Sequence, residues 1–464
     1  MPYIGAGVSR FTTADGLTVS GNTEIDGGTI KLDGDYPVGT RNVALGDLAL
    51  DDGSLSGQDS TAIGSSALTA NTTGSYNVAV GSQALDANTT GLYNSSVGYN
   101  SLSANTTATH NTALGYSALA ADTTGAANTA VGSQALASCT TANNNTAVGY
   151  AALFNNTTDI GANVAIGRSA LLSNTTGYRN TAVGTYALDA NTTANANTAV
   201  GWHALSENTT GTQNTAVGYA ALDANTTGDA NTAVGYAALG VNTTGTQNAA
   251  FGLFTLDANT TGGYNTGLGH AALGANETGS NNVAVGYGSL SANTTGSSNV
   301  AVGVGALDSN TTSTDSTAVG TNALGVSTGA GNTAVGSHAL DANTSGINNT
   351  AVGVNALGAN TTGGPNIAIG NSALLSNTTG NGSVAIGLNS LDAATTGDNN
   401  TAVGNYALTS LTTAGSITAL GYNAGNALTT GADTTIVGAY AGDAITTGGQ
   451  NTAIGSGALS EATT

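Results

Sequence analysis

In "NTAVGYAALDANTTGDANTAVGYAAL", Asn214 to Leu239, an aliphatic residue stands before each glycine, a small residue before that, and a leucine four places after. Polar residues fill most of the rest. The glycine recurs at 46, 64, 81, 98, 115, 132, 149, 167, 184, 201, 218, 235, 252, 269, 286, 303, 320, 336, 353, 370, 387, 404, 421, 438 and 455, which makes 25 copies. The step is 17 residues, apart from 18 at 46–64 and 149–167 and 16 at 320–336. Each irregular step falls in the polar stretch between a leucine and the next phrase.

The residue before the glycine is Val, Ile or Leu in every copy but Phe251. The one before that is Ala in 22 of 25, with Ser96, Gly267 and Ile436 as exceptions. Leu stands four places after the glycine in 23 copies, broken at Gly425 and Gly442. Adjacent residues of a strand face opposite ways, so each Ala-Val pair offers one small and one branched face. The pattern predicts a short strand over Asn-Thr-Ala-Val and a turn at a glycine free to take positive φ. A second short strand around Ala-Leu and a polar loop through Asn-Thr-Thr-Gly complete the unit. No apolar stretch keeps the spacing of a helix for long, and glycine interrupts every turn or two. The expected fold is all-β, a repetitive β-solenoid of about 25 coils, one per repeat.

One coil of 17 residues buries little alone. The branched column is expected to fill the inside. The small column, carried by Ala79, Ala130, Ala182, Ala216, Ala233 and Ala301, is then expected to form a close interface with neighbouring copies of the chain. Coils stacked at roughly 4.8 Å would make a rod on the order of 120 Å long.

The phrase N-[TSV]-A-[VI]-G-x-x-A-L resembles the head repeats of trimeric autotransporter adhesins. The longer N-T-A-V-G-Y-x-A-L-x-x-N-T-T-G is similar to repeats of phage tail-fibre proteins. The resemblance spans Asn42 to about Ser460 and implies a left-handed parallel β-roll assembled as an elongated homotrimer. The adhesin family also has a secretion signal, a heptad stalk and a membrane barrel, for which this sequence gives no sign. Gly16 to Gly46 is similar to the openings of marine phage fibre and virion structural proteins, and Leu17 to Leu32 alternates apolar and polar residues around Gly27-Gly28, predicting a short hairpin or β-prism. The expected organisation is an attachment and trimer-registration segment over 1–41, regular coils over 42–420 and variant terminal coils over 421–464.

Composition narrows the function. The chain has 69 Gly, 7% charged residues and a formal net charge of −21 from 26 acidic and five basic residues. A nucleic-acid groove needs a basic footprint that is absent here. The sequence has no run of about 20 apolar residues to span a membrane, and Met1-Pro-Tyr-Ile-Gly does not open like a secretory signal, so synthesis in a cytoplasm is expected. Cys139 stands in a column where other repeats have Asn, and reads as an incidental small residue. Asn-Thr-Thr matches the N-x-T glycosylation pattern, but stacked Asn and Thr are expected to serve as hydrogen-bond ladders between coils.

Chemistry-bearing residues are scattered. His110, His203, His270 and His338 are spread along the rod, too far apart to bind one metal within a chain. Carboxylates recur after the leucine at Asp86, Asp189, Asp223, Asp257, Asp308, Asp341 and Asp392; the spacing of Asp223 and Asp257 follows from the repeat and reads as a solvated face or a weak Ca²⁺ site, not a glycosidase pair. Aromatics follow the glycine at Tyr99, Tyr116, Tyr150, Trp202, Tyr219, Tyr236, Tyr287 and Tyr422, a stripe suited to structural stacking and, as a second reading, to glycan contact. No enzyme activity, metal or cofactor is expected.

The resemblance implies a structural fibre or spike of a tailed marine phage. Residues 1–41 would hold it to a tail or capsid protein, and a trimeric rod would project to a host-surface glycan or protein, with no nucleic-acid partner and no membrane insertion. The alternative is a bacterial trimeric surface adhesin or a self-assembling extracellular filament. A polysaccharide depolymerase would require a carboxylate pair in a groove between chains.

Overall fold

The computed structural model describes residues 41–52, 54–157 and 161–461. The expected N-terminal hairpin or β-prism therefore lies outside the described residues. Twenty-five strands of three residues, β1 (Val43–Leu45) to β25 (Thr452–Ile454), occupy the positions before each repeat glycine, and no helix occurs among the described residues. Each strand pairs in parallel with the next in the chain. In β11 (Thr215–Val217) and β12 (Thr232–Val234), Thr lies opposite Thr, Ala opposite Ala and Val opposite Val. The register survives the irregular steps, with Val43 opposite Thr61, Thr146 opposite Val164 and Thr317 opposite Thr333, so the loops absorb every inserted or missing residue. The protein is a parallel β-solenoid with a 17-residue coil.

The turn glycine is needed twice over. Gly218 has φ +140°, and a Cβ there would stand 2.3 Å from the carbonyl oxygen of Gly235 in the next coil. A side chain would be strained by its own backbone and would collide with its neighbour's.

Inside and outside are the reverse of the sequence expectation. Ala79, Ala130, Ala182, Ala216, Ala233 and Ala301 are each 0% exposed within a single chain, so this column is core and cannot face another copy. The branched residue beside it turns outward; Val217 is half-buried and Leu268 is 50% exposed. The interior is one side chain deep. The leucine after the turn crosses it and meets the strand's alanine, as at Gly267, where a methyl would lie 3.6 Å from Leu256 Cδ1. With leucine already spanning the gap, only a small residue fits on the opposite wall.

The exceptions in the alanine column follow from the same limit. Ser96 donates to the Ser101 carbonyl at 2.8 Å inside the coil. Gly267 makes room for Thr255, whose Cγ2 would lie 2.5 Å from a Cβ at 267. Ile436 fills the space left where Gly425 and Gly442 replace leucine, its Cδ1 standing 2.7 and 3.2 Å from where their Cβ atoms would be. The variant terminal coils thus keep the coil geometry and exchange core volume between columns.

The predicted second strand is instead a run of turns. Ala220 and Leu222 take φ of +50° and +53°, which breaks an extended strand. Bonding between coils persists without it: Ala220 N–H donates to the Trp202 carbonyl at 2.9 Å and Leu222 N–H to the Ala238 carbonyl at 3.0 Å.

Two columns of buried asparagine join the coils, as the ladder reading anticipated. Asn214 Oδ1 accepts from the Asn231 backbone at 2.9 Å while its Nδ2 donates to the Gly228 carbonyl at 2.8 Å. In the loop, Asn225 Nδ2 donates to Asn208 Oδ1 at 2.8 Å and to the Gly228 carbonyl at 3.0 Å. The following threonine adds a third column, Thr226 Oγ1 donating to the Thr243 carbonyl at 3.1 Å. Asn208 and Asn225 are buried with Nδ2 engaged, so the N-x-T pattern there is spent on folding.

Candidate functional site

With leucine, alanine and asparagine turned inward, function falls to the outward columns. Two stand out: the residues flanking the turn glycine on its C-terminal side, and the first and third residues of each strand.

The aromatic stripe is exposed throughout, from 44% at Trp202 to 63% at Tyr287. Where rings follow in successive coils they pack on one another, because the coil spacing is near the centroid separation of stacked rings. Trp202 and Tyr219 stack at 4.7 Å, Tyr219 and Tyr236 at 4.9 Å, and Tyr99 and Tyr116 at 5.7 Å between centroids. The neighbouring column contributes as well: Phe254 meets Tyr236 edge-on, His270 meets Phe254, and Tyr287 stacks on His270 at 5.3 Å. Tyr422 makes edge contacts with Tyr406 and Tyr440. Tyr150 borders a groove of about 270 Å³ with Phe154 and Leu172. A further stack, Tyr76 on Tyr93 on His110, lies in the loop before the strand; the 17-residue spacing of those three positions was its only signal in the sequence.

Beside Tyr287 lies a second groove, of about 330 Å³, lined by Ala271, Gly288, Ser291, Val304, Gly305, Asp308 and Asn322. Gly288 and Gly305 occupy a column that bears a side chain in most other coils. Asp308 is the only carboxylate in the lining.

The other titratable groups are held singly or in pairs. His203 Nδ1 lies 3.9 Å from Asp223 Oδ1, and His338 contacts Ser337 Oγ at 2.9 Å. Burial pushes the Asp189 carboxyl up to about 6, against the pull of His203; Glu207 and Asp223 add repulsion. Asp86, Asp257 and Asp392 are half-buried, and burial likewise raises their carboxyls. Among the described residues, no three His, Cys, Asp or Glu side chains converge as a metal-ligand set, and no helix is long and apolar enough to cross a membrane.

The other outward surface runs the length of the sheet. Each strand turns its first and third residues out, typically Thr and Val, and the third-residue column includes Leu45, Ile63, Val97, Leu114, Ile166, Phe251, Leu268, Ile369, Ile386 and Leu420, all exposed. No protein-family model matches the chain, and no curated protein matches it.

Proposed function

We propose that this protein is a structural fibre of a tailed phage particle, anchored through residues 1–41, whose rod assembles as a homotrimer and projects toward the host surface. Its role is mechanical and adhesive, not catalytic. The observation that carries this reading is the outward aliphatic column. Summed over the strands it amounts to on the order of 1,000 Å² of apolar surface, more than a monomer ordinarily leaves contiguous. A cover for it must repeat at the spacing of one coil over the whole length, and a second copy of the chain in register meets that requirement. The Thr-x-Val face, not the alanine column, is therefore the proposed interface between copies. Three copies around an axis would bury the aliphatic column of each and stiffen the rod.

Light scattering on the purified chain tests the assembly. Three times the 44.5 kDa chain mass is expected. A stable monomer at micromolar concentration would sink the trimer, and an open-ended distribution of masses would favour the filament. Peptide mass spectrometry on purified particles from the producing culture tests the location. Absence of the chain from the particle fraction, with presence on the cell surface, would replace the phage fibre with the bacterial adhesin.

A further inference from the structure

We infer that the groove beside Tyr287 seats one neutral pyranose ring, which deepens the reading of the rod as a host-contact fibre and rests on it for its biological meaning. A sugar recognises an aromatic side chain by laying its C–H face on the ring face, as apolar surface covers apolar surface. Along Trp202, Tyr219 and Tyr236 the rings are 4.7 and 4.9 Å apart and within 17° of parallel, so they cover each other's faces and present edges to solvent. The middle of such a stack offers a sugar nothing flat. Tyr287 ends its run: His270 covers one face at 5.3 Å and 9°, and the next coil places Val304, not a ring, in the column. Tyr287 is the most exposed ring of the stripe, and it borders the groove together with Val304.

The surroundings are cut to admit a ring there. Gly288 takes φ +63°, a conformation its column holds in other coils with a side chain, as at Ala237 and Ala271, and a Cβ there would meet nothing within 4 Å, so the position is open beside the ring. At Gly305 a Cβ would lie 2.6 Å from Asn322 Oδ1, so its absence lets the Asn322 carboxamide lean over the glycine at the groove. Asp308 and Ser291 complete the polar side. A carboxylate accepts from two hydroxyls, while an amide both donates and accepts, which suits the alternating donors and acceptors of a sugar's rim. The volume of about 330 Å³ is at the small end of ligand pockets, enough for one ring and not for a chain.

Charge selects a neutral ligand. Asp308 would repel a sulfate, phosphate or sialic-acid carboxylate, and the described arginines, Arg41, Arg168 and Arg179, stand six or more coils away. The groove beside Tyr150 is the contrasting case: it has Phe154 and Leu172 with Gln134 and Ser169, but no carboxylate.

Saturation-transfer NMR on the full chain, with the methyl glycosides of glucose, galactose, mannose, N-acetylglucosamine and sialic acid as probes, tests the seat. Transfer to the ring C–H protons of at least one neutral glycoside is expected. Tyr287→Ala and Asp308→Ala should each weaken it roughly tenfold or more, and Tyr219→Ala, inside the stack, should leave it unchanged. Transfer to no neutral glycoside overturns the inference, as does transfer that survives Tyr287→Ala, that is lost equally in Tyr219→Ala, or that favours the sialoside. Melting curves and solution mass on the same samples separate a folding or assembly failure from loss of the sugar contact. A trimer that binds no glycoside would refute the seat while leaving the fibre standing.

Discussion

Asp122 shows what one residue can do to a ladder. It stands where Asn105 and Asn88 stand in the preceding rungs, and Cys139 takes the next rung. Asn105 Oδ1 loses its donor and Asn156 Nδ2 loses its acceptor; both atoms are buried without partners. Asp122 still accepts from the Gly125 backbone at 3.0 Å and from Asn111 Nδ2 at 3.3 Å. Burial nevertheless raises its carboxyl to about 7, countered by the Gly125 and Cys139 contacts. The folded chain then keeps a proton that the unfolded chain has released above about pH 4, so stability falls as pH rises from about 4 to 7 and levels off beyond. Asp122→Asn restores the rung's donor and removes this slope, raising stability at pH 8 by on the order of 3 kcal/mol and little at pH 4. Thermal melts of both proteins at the two pH values check this. Parallel pH dependence in the two would show that another group is responsible.

At the scale of the element, the turn after the glycine explains a choice of residue that composition leaves open. The strand's outward position accepts Val, Ile, Leu or Phe, but the position four after the glycine is never Val or Ile. Leu222 holds φ +53°, where a β-branched side chain crowds its own backbone and an unbranched Cβ is tolerated. Leu222→Ile, which conserves volume, should therefore destabilise the rod by about 1–3 kcal/mol beyond the cost of the altered shape. Leu222→Met should cost less. Hydrogen exchange of the coils on either side, which reads local opening along a repeat protein, measures the difference. Equal protection in the two variants would mean that the backbone conformation exerts no such selection. The pattern did reveal the first strand, the glycine turn and the loop. It did not reveal that the second apolar pair sits in turns, because a small-large pair looks the same in a strand as in a run of alternating φ signs.

For the molecule as a whole, the question is what holds the coils together when most contribute one leucine each to the core. Backbone bonds run from coil to coil in the strands, and asparagine and threonine columns run beside them, so each coil is tied to its neighbours on several sides. The outward aliphatic face is what a single rod leaves uncovered. A variant with Val131, Val200, Val285 and Val352 all changed to Asp would set like charges against each other at four levels of a trimer. Its dissociation constant should rise at least about a hundredfold while the far-UV spectrum of the coil is retained. Solution mass against concentration reads the result, and an undisturbed trimer would place the interface on another face.

The sequence by itself determined the period, the parallel register, the glycine turn, the loops that absorb irregular steps and the asparagine and threonine ladders. Each is written in the spacing or in what a single residue type can do locally. Which face of the strand turned inward was decided by tertiary structure. Alternation along Thr-Ala-Val gives two faces with equal claim, and the choice depends on how far apart the walls of the coil stand. That distance is set by a left-handed turn geometry and filled by Leu222 and its equivalents, so alanine went in and valine out. The same holds for the aromatic stripe. Its column was legible, but whether a ring offers its face or its edge depends on what the next coil stacks upon it: Tyr219 lies between Trp202 and Tyr236, whereas Tyr287 stacks on His270 and is followed by Val304, with Gly288 and Gly305 beside it.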